Sequence, residues 1–119
     1  MPEKHSRMTE QGRAVWLTKR LWQFARGLRV RQVSIAQIKE FDLNCWFGPE
    51  EIPTCRAVAA HALRISRADL RYPIILSADG SLMDGGHRLC KAWMLGHTEI
   101  AAVQFVRDSV PDYILPDAA

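Results

Sequence analysis

The stretch Ser81–Gly96, SLMDGGHRLCKAWMLG, constrains this chain more than any other. Leu82 and Met83 have strand character, and Asp84-Gly85-Gly86 is a break whose glycines permit positive φ and close approach of the backbone to a ligand. Leu89, Ala92, Trp93 and Leu95 then recur at helical spacing, with Gly96 where a helix stops. His87 and Arg88 therefore stand at a helix N-terminus, where unpaired N–H groups and the positive end of the dipole favour an anion. Two readings follow. Either Gly85, Gly86, His87 and Arg88 hold a phosphate, with Leu89 and Trp93 turned inward and Arg88 outward, or the stretch is a plain strand-to-helix turn. Neither a P-loop nor a G-x-G-x-x-G fingerprint is present.

The segment Asp84-Gly85-Gly86-His87-Arg88, with its helix ending at Leu95-Gly96, resembles the phosphate-binding segment of ParB N-terminal domains, sulfiredoxins and ParB-like free-serine kinases. The resemblance runs back through Tyr72-Pro73-Ile74-Ile75-Leu76 and forward through Ile100 to Phe105. It is looser over Pro53-Thr54-Cys55-Arg56 to Ile65. It implies an α+β fold of ParB N-terminal or sulfiredoxin-like type, a small mixed sheet flanked by helices, over residues 28–119; the basic amphipathic helix expected over residues 1–27 lies outside the resemblance. The resemblance also implies a bound ribonucleotide, ATP, ADP or CTP, held by Gly85, Gly86, His87 and Arg88 with help from Thr54 and Arg56. Sulfiredoxin chemistry needs a cysteine just before the His-Arg pair, and Gly86 stands there instead. In the kinase alternative Asp84 positions Mg²⁺ or a hydroxyl, and Glu40 or Asp42 is the base. Asp84 as a cap for the Gly-Gly turn is the simpler alternative.

A chain of 119 residues with 48% hydrophobic and 24% charged content is expected to be one globular domain. It contains no apolar run long enough for a transmembrane helix and no secretory leader, so a cytoplasmic protein without membrane contact is expected. Cys45, Cys55 and Cys90 are odd in number and lack C-x-x-C spacing, which argues for reduced thiols, packed or partly packed, and against a disulfide framework and a zinc site. Charge is uneven. Residues 1–31 hold eight basic and two acidic side chains, leaving −3 for the rest of a chain of net charge +3. A basic arm of that kind either contacts nucleic acid or is a solvated helix face.

The first six residues are polar and expected to fray. Val15, Trp16, Leu17, Leu21, Trp22, Phe24 and Ala25 predict an amphipathic helix from Thr9 to Arg26, whose apolar stripe packs on the body or on a second copy in a homodimer. Leu28 to Val33 alternates as a strand, and Ser34 caps a short helix carrying Ile35 and Ile38. Asn44 to Pro53 is a loop anchored by Trp46 and Phe47. Thr54 caps a helix whose Val58, Ala59, Ala62, Leu63 and Ile65 make a core face. Its His61 is expected at the surface or packed, since no metal-type residue stands four residues on. Tyr72 to Leu76 and Ser81 to Met83 form a hairpin, Ile100 to Phe105 a last strand, and the tail from Arg107 is irregular, with Tyr113, Ile114 and Leu115 docking on the body.

Overall fold

The run Ile74-Ile75-Leu76 is apolar at every position because its strand is covered on both faces. The computed structural model describes residues 3–48 and 50–116. In chain order these form β1 (Lys4–Thr9), β2 (Gly12–Leu17), α1 (Thr18–Ala25) and β3 (Arg31–Ser34). Two 3-10 turns follow, Ile35–Gln37 and Lys39–Asp42, and then α2 (Cys55–Arg67) and β4 (Ile74–Leu76). β5 (Leu82–Asp84), α3 (Gly86–Met94), β6 (Glu99–Gln104) and β7 (Tyr113–Leu115) complete the order. The result is a mixed α+β fold with two sheets among the described residues.

The larger sheet has the order β3-β6-β4-β5, with β4 parallel to β6 and the other pairs antiparallel. Strand alternation sends Ile74, Leu76, Leu82, Ile100 and Ala102 to one face, where they meet Leu89 and Ala92 of α3 and Ile35 and Ile38 of the 3-10 turns. Ile75, Met83 and Val103 point to the other face, against Ala14 and Trp16 of β2 and Leu21 of α1. The Ser77–Gly80 turn closes the β4–β5 hairpin as its sequence predicts: Ser77 N–H donates to Ser81 O at 2.8 Å, and Gly80 N–H donates to Ser77 O at 2.9 Å.

The N-terminal helix expected from Thr9 to Arg26 exists only in its second half. Its first half is the turn after Thr9 and strand β2, which pairs with β1 from Lys4↔Leu17 to Thr9↔Gly12. Helical spacing misleads here because Trp16 and Leu21 serve one core from two different elements. The hairpin itself lacks an Asn-Gly type turn signal. Trp16 and Leu21 are buried in the body while Trp22 is 53% exposed, so the first of the two stated outcomes for the stripe, packing on the body, holds for Trp16 and Leu21. The expected fraying of the first residues fails from Lys4 onward; Met1 and Pro2 lie outside the described residues. The strand expected from Leu28 begins at Arg31, and Ser34 flanks its 3-10 turn without a side-chain cap. The tail expected to be irregular supplies β7, which pairs with β2 as the third strand of the smaller sheet.

Three burial expectations are corrected. Trp93 is 59% exposed and touches Phe41 at a ring separation of 5.8 Å, because Leu89 and Ala92 already occupy the stripe of α3 that faces the sheet. None of the 13 residues of α2 is buried, since α3 and the 3-10 turns cover that face of the sheet first. Cys45 and Cys55 are exposed free thiols, and only Cys90 is partly packed. No helix among the described residues is long and apolar enough to cross a membrane.

Candidate functional site

The strand-to-helix turn forms where the sequence places it. Gly85 is the N-cap residue of α3 at φ +119°, a left-handed conformation, and a Cβ there would overlap the side chain of Ile74. Leu89 N–H donates to Gly85 O at 2.9 Å, closing the first helical turn. The N–H groups of Gly86, His87 and Arg88 precede that bond and have no acceptor among the described residues. Unpaired donors of this kind and the positive end of a helix dipole favour negative charge.

Arg88 does not face outward. Its side chain is 14% exposed; Nη1 donates to the carbonyls of Tyr72 at 3.0 Å and Pro73 at 2.8 Å, and Nη2 to Asp84 Oδ2 at 2.8 Å. The guanidinium ties α3 to the entry of β4. Asp84 Oδ2 also accepts from Trp22 Nε1 at 2.7 Å, so Asp84 joins β5, α3 and α1. Asp84, the residue assigned to Mg²⁺ in the kinase alternative, is paired with Arg88, and no group of three His, Cys, Asp or Glu side chains that could hold a metal ion occurs among the described residues. Glu40 Oε1 accepts from Leu82 N–H at 2.8 Å and so fixes β5, while Asp42 lies exposed at the end of its 3-10 turn. Thr54 caps α2 as its sequence predicts, accepting from Ala57 N–H at 3.1 Å, and Arg56 is exposed one residue into the helix.

What the fold adds is a cluster of three rings. His61 Nδ1 and His87 Nε2 are 2.8 Å apart, one donating to the other. Trp46 stacks on both, at 4.6 Å from each centroid and within 8° of parallel. The imidazole centroids are 5.1 Å apart with planes 9° apart, so the two rings lie edge to edge over one face of the indole. Phe47 meets His61 edge-on at 5.3 Å. Trp46 Nε1 would lie 3.3 Å from a Cβ placed on Gly86, so the second glycine of the turn is what lets the indole settle there.

Burial, then Arg64, then His61 depress the His87 pKa to about 4, with Asp84 opposing. His61 is lowered as well, by burial and then by Arg64. The pair is therefore neutral at pH 7, and one imidazole is donor and the other acceptor. Beside the cluster a cavity of about 320 Å³ opens between the loop after Trp46 and α2, lined by Trp46, Phe47, Glu51, Thr54, Ala57 and His61.

Sequence inspection reaches His87 and the glycines but not the ring cluster. Trp46, His61 and His87 are widely separated and share no periodicity, and His61 draws attention only when tested against its own helix. The usable signal is the aromatic pair Trp46-Phe47 in a polar loop. No family model, curated protein or solved structure matches this chain.

Proposed function

We propose that this protein is a nucleotide-binding module of ParB-like type that takes the phosphates of a ribonucleotide at the Gly85-Gly86-His87-Arg88 turn. The observation that carries this is the set of three N–H groups at the start of α3 that have no acceptor among the described residues, on the same turn whose Gly86 and His87 side chain pack against Trp46. Backbone donors fixed by a helix suit phosphate oxygens without any side-chain rearrangement. Arg88 acts in this site by positioning: it locks Asp84 and the turn, and the amides make the contact.

A binding role is favoured over phosphotransfer because two of the candidate acids hold other partners, Glu40 on Leu82 N–H and Asp84 on Arg88 and Trp22, and the third, Asp42, is exposed. It is favoured over nucleic-acid binding because the basic arm is partly paired. Arg7 meets Asp108 at 2.8 Å, Arg20 meets Asp112 at 3.6 Å, and Arg31 donates to Gln104.

Thermal melts with ATP, ADP, CTP, GTP and inorganic pyrophosphate, each with and without Mg²⁺, test the proposal. A ligand at one hundred times its Kd adds about 2.7 kcal/mol. A melting temperature that none of the five ligands raises refutes it.

A further inference from the structure

Two of the three cysteines are brought together where residues 40–46 cross α3. On that helix Gly86, Cys90 and Trp93 fall at i, i+4 and i+7 and so share one stripe, beside the Leu89 and Ala92 stripe that faces the sheet. The crossing segment meets this stripe at both ends. Trp46 Nε1 lies 3.3 Å from where a Cβ on Gly86 would stand, and the Phe41 and Trp93 rings are 5.8 Å apart. Cys45 directly precedes Trp46, and its thiol donates to Glu40 O, the carbonyl next to Phe41, at 3.3 Å. The Cys45 sulfur is therefore held between the two ring contacts, on the segment that faces Cys90.

The state of the two thiols fits this placement. Burial raises the pKa of both, and at Cys45 the Glu40 carboxylate and then Cys90 itself add to the effect, as neighbouring groups that ionise to the same charge do. Both are therefore free, protonated thiols at pH 7. Cys45 is exposed and Cys90 half-buried, so an oxidant from solution reaches Cys45 first. Residues 43–46 belong to no helix or strand, which lets the backbone around Cys45 adjust to the geometry of a bridge while α3 stays fixed. Cys55 opens a different helix, α2, and is exposed.

We propose that Cys45 and Cys90 are a redox modification site: a reversible disulfide between them fastens residues 40–46, and with them Trp46, to α3. With oxidised glutathione as the oxidant the step balances. The Cys45 thiol loses its proton and attacks one sulfur of the glutathione disulfide, giving a mixed disulfide and releasing one glutathione thiolate. The Cys90 thiolate then attacks the Cys45 sulfur, which forms the bridge within the protein and releases the second glutathione. The two protein thiols lose two electrons and two protons, and both leave on the two molecules of glutathione. The inference stands apart from what the α3 turn binds.

The test is incubation of the full, reduced chain with excess oxidised glutathione at mildly alkaline pH, followed by mass spectrometry, peptide mapping without reduction and thermal melting. The expected product is a single chain about 2 Da lighter than the reduced one, whose map joins the Cys45 and Cys90 peptides. A bridge that closes a loop of about 45 residues constrains the unfolded chain, so Tm is expected to rise by roughly 10 °C and to return on addition of dithiothreitol. Cys55→Ala keeps the bridge and the shift, while Cys45→Ala and Cys90→Ala each lose both. Mapping of the unsubstituted chain decides the matter even where Cys90→Ala folds poorly. Glutathione adducts that never resolve to a bridge, a bridge to Cys55, or a bridge between two chains overturns the proposal. So does a Cys45–Cys90 bridge that lowers Tm, since sulfurs that face each other in the native fold close without distorting it.

Discussion

Replacing Arg88 with alanine separates a structural guanidinium from a ligand-binding one. The side chain makes three charged hydrogen bonds, to Tyr72 O, Pro73 O and Asp84 Oδ2, and both ends of the ion pair are about 15% exposed or less. Removing one partner of a buried pair costs about 3–5 kcal/mol because the other charge is left without compensation. Here Asp84 keeps the indole N–H of Trp22, which places the expected loss at the lower end, about 3 kcal/mol. For a chain of this size that is a fall in Tm of roughly 10 °C. Arg88→Lys retains the charge but loses the fork that reaches two carbonyls and a carboxylate together, so it recovers about half of the loss. The assay is circular-dichroism melting of both variants beside ATP titration well below their melting temperatures. Both variants are expected to melt early and, while folded, to bind ATP within about fivefold of the unsubstituted chain, since in the proposed site the phosphate contacts are backbone amides. A Tm within about 2 °C of the unsubstituted chain together with abolished ATP binding would refute the positioning role and make the guanidinium a direct phosphate contact.

Other outcomes follow from the same geometry. His87 titrates near 4 in the folded chain against an ordinary 6.5, so on acidification the unfolded chain takes up the proton first. Stability is therefore full above about pH 6.5 and declines as pH falls toward 4, and chemical denaturation of His87→Gln across that window should show a flatter profile. Gly85→Ala should cost about 3 kcal/mol through its left-handed φ and overlap with Ile74. Gly80→Ala, at φ +90° with open space around it, should cost only about 1 kcal/mol, and urea titration of the two variants compares them. Thr54→Ala should remove about 1 kcal/mol by uncapping α2, visible as a small drop in Tm. Glu40→Gln should lower stability through its bond to Leu82 N–H, yet leave phosphate release from ATP with free serine at background, as in the parent chain. Turnover well above background that Glu40→Gln abolishes would restore the phosphotransferase alternative.

The parts of this protein legible in one dimension are those whose physics is local. Left-handed Gly85, the α3 start at Gly86, the Gly96 stop, the Ser77–Gly80 turn and the Thr54 cap each depend on a few adjacent residues. The two-sided burial of β4 is likewise written in an unbroken apolar run. Everything that needed a distant neighbour was decided by tertiary structure. Residues Gly12–Leu17 have helical spacing but become a strand because β1 and β7 supply hydrogen-bonding edges on either side. Arg88 turns inward because the carbonyls before β4 and the carboxylate of Asp84 converge on it, a convergence that no spacing within α3 encodes. The same holds for the stack of Trp46 on His61 and His87: each ring comes from a different element, and only the packing of a loop and two helices brings them within hydrogen-bonding and stacking distance.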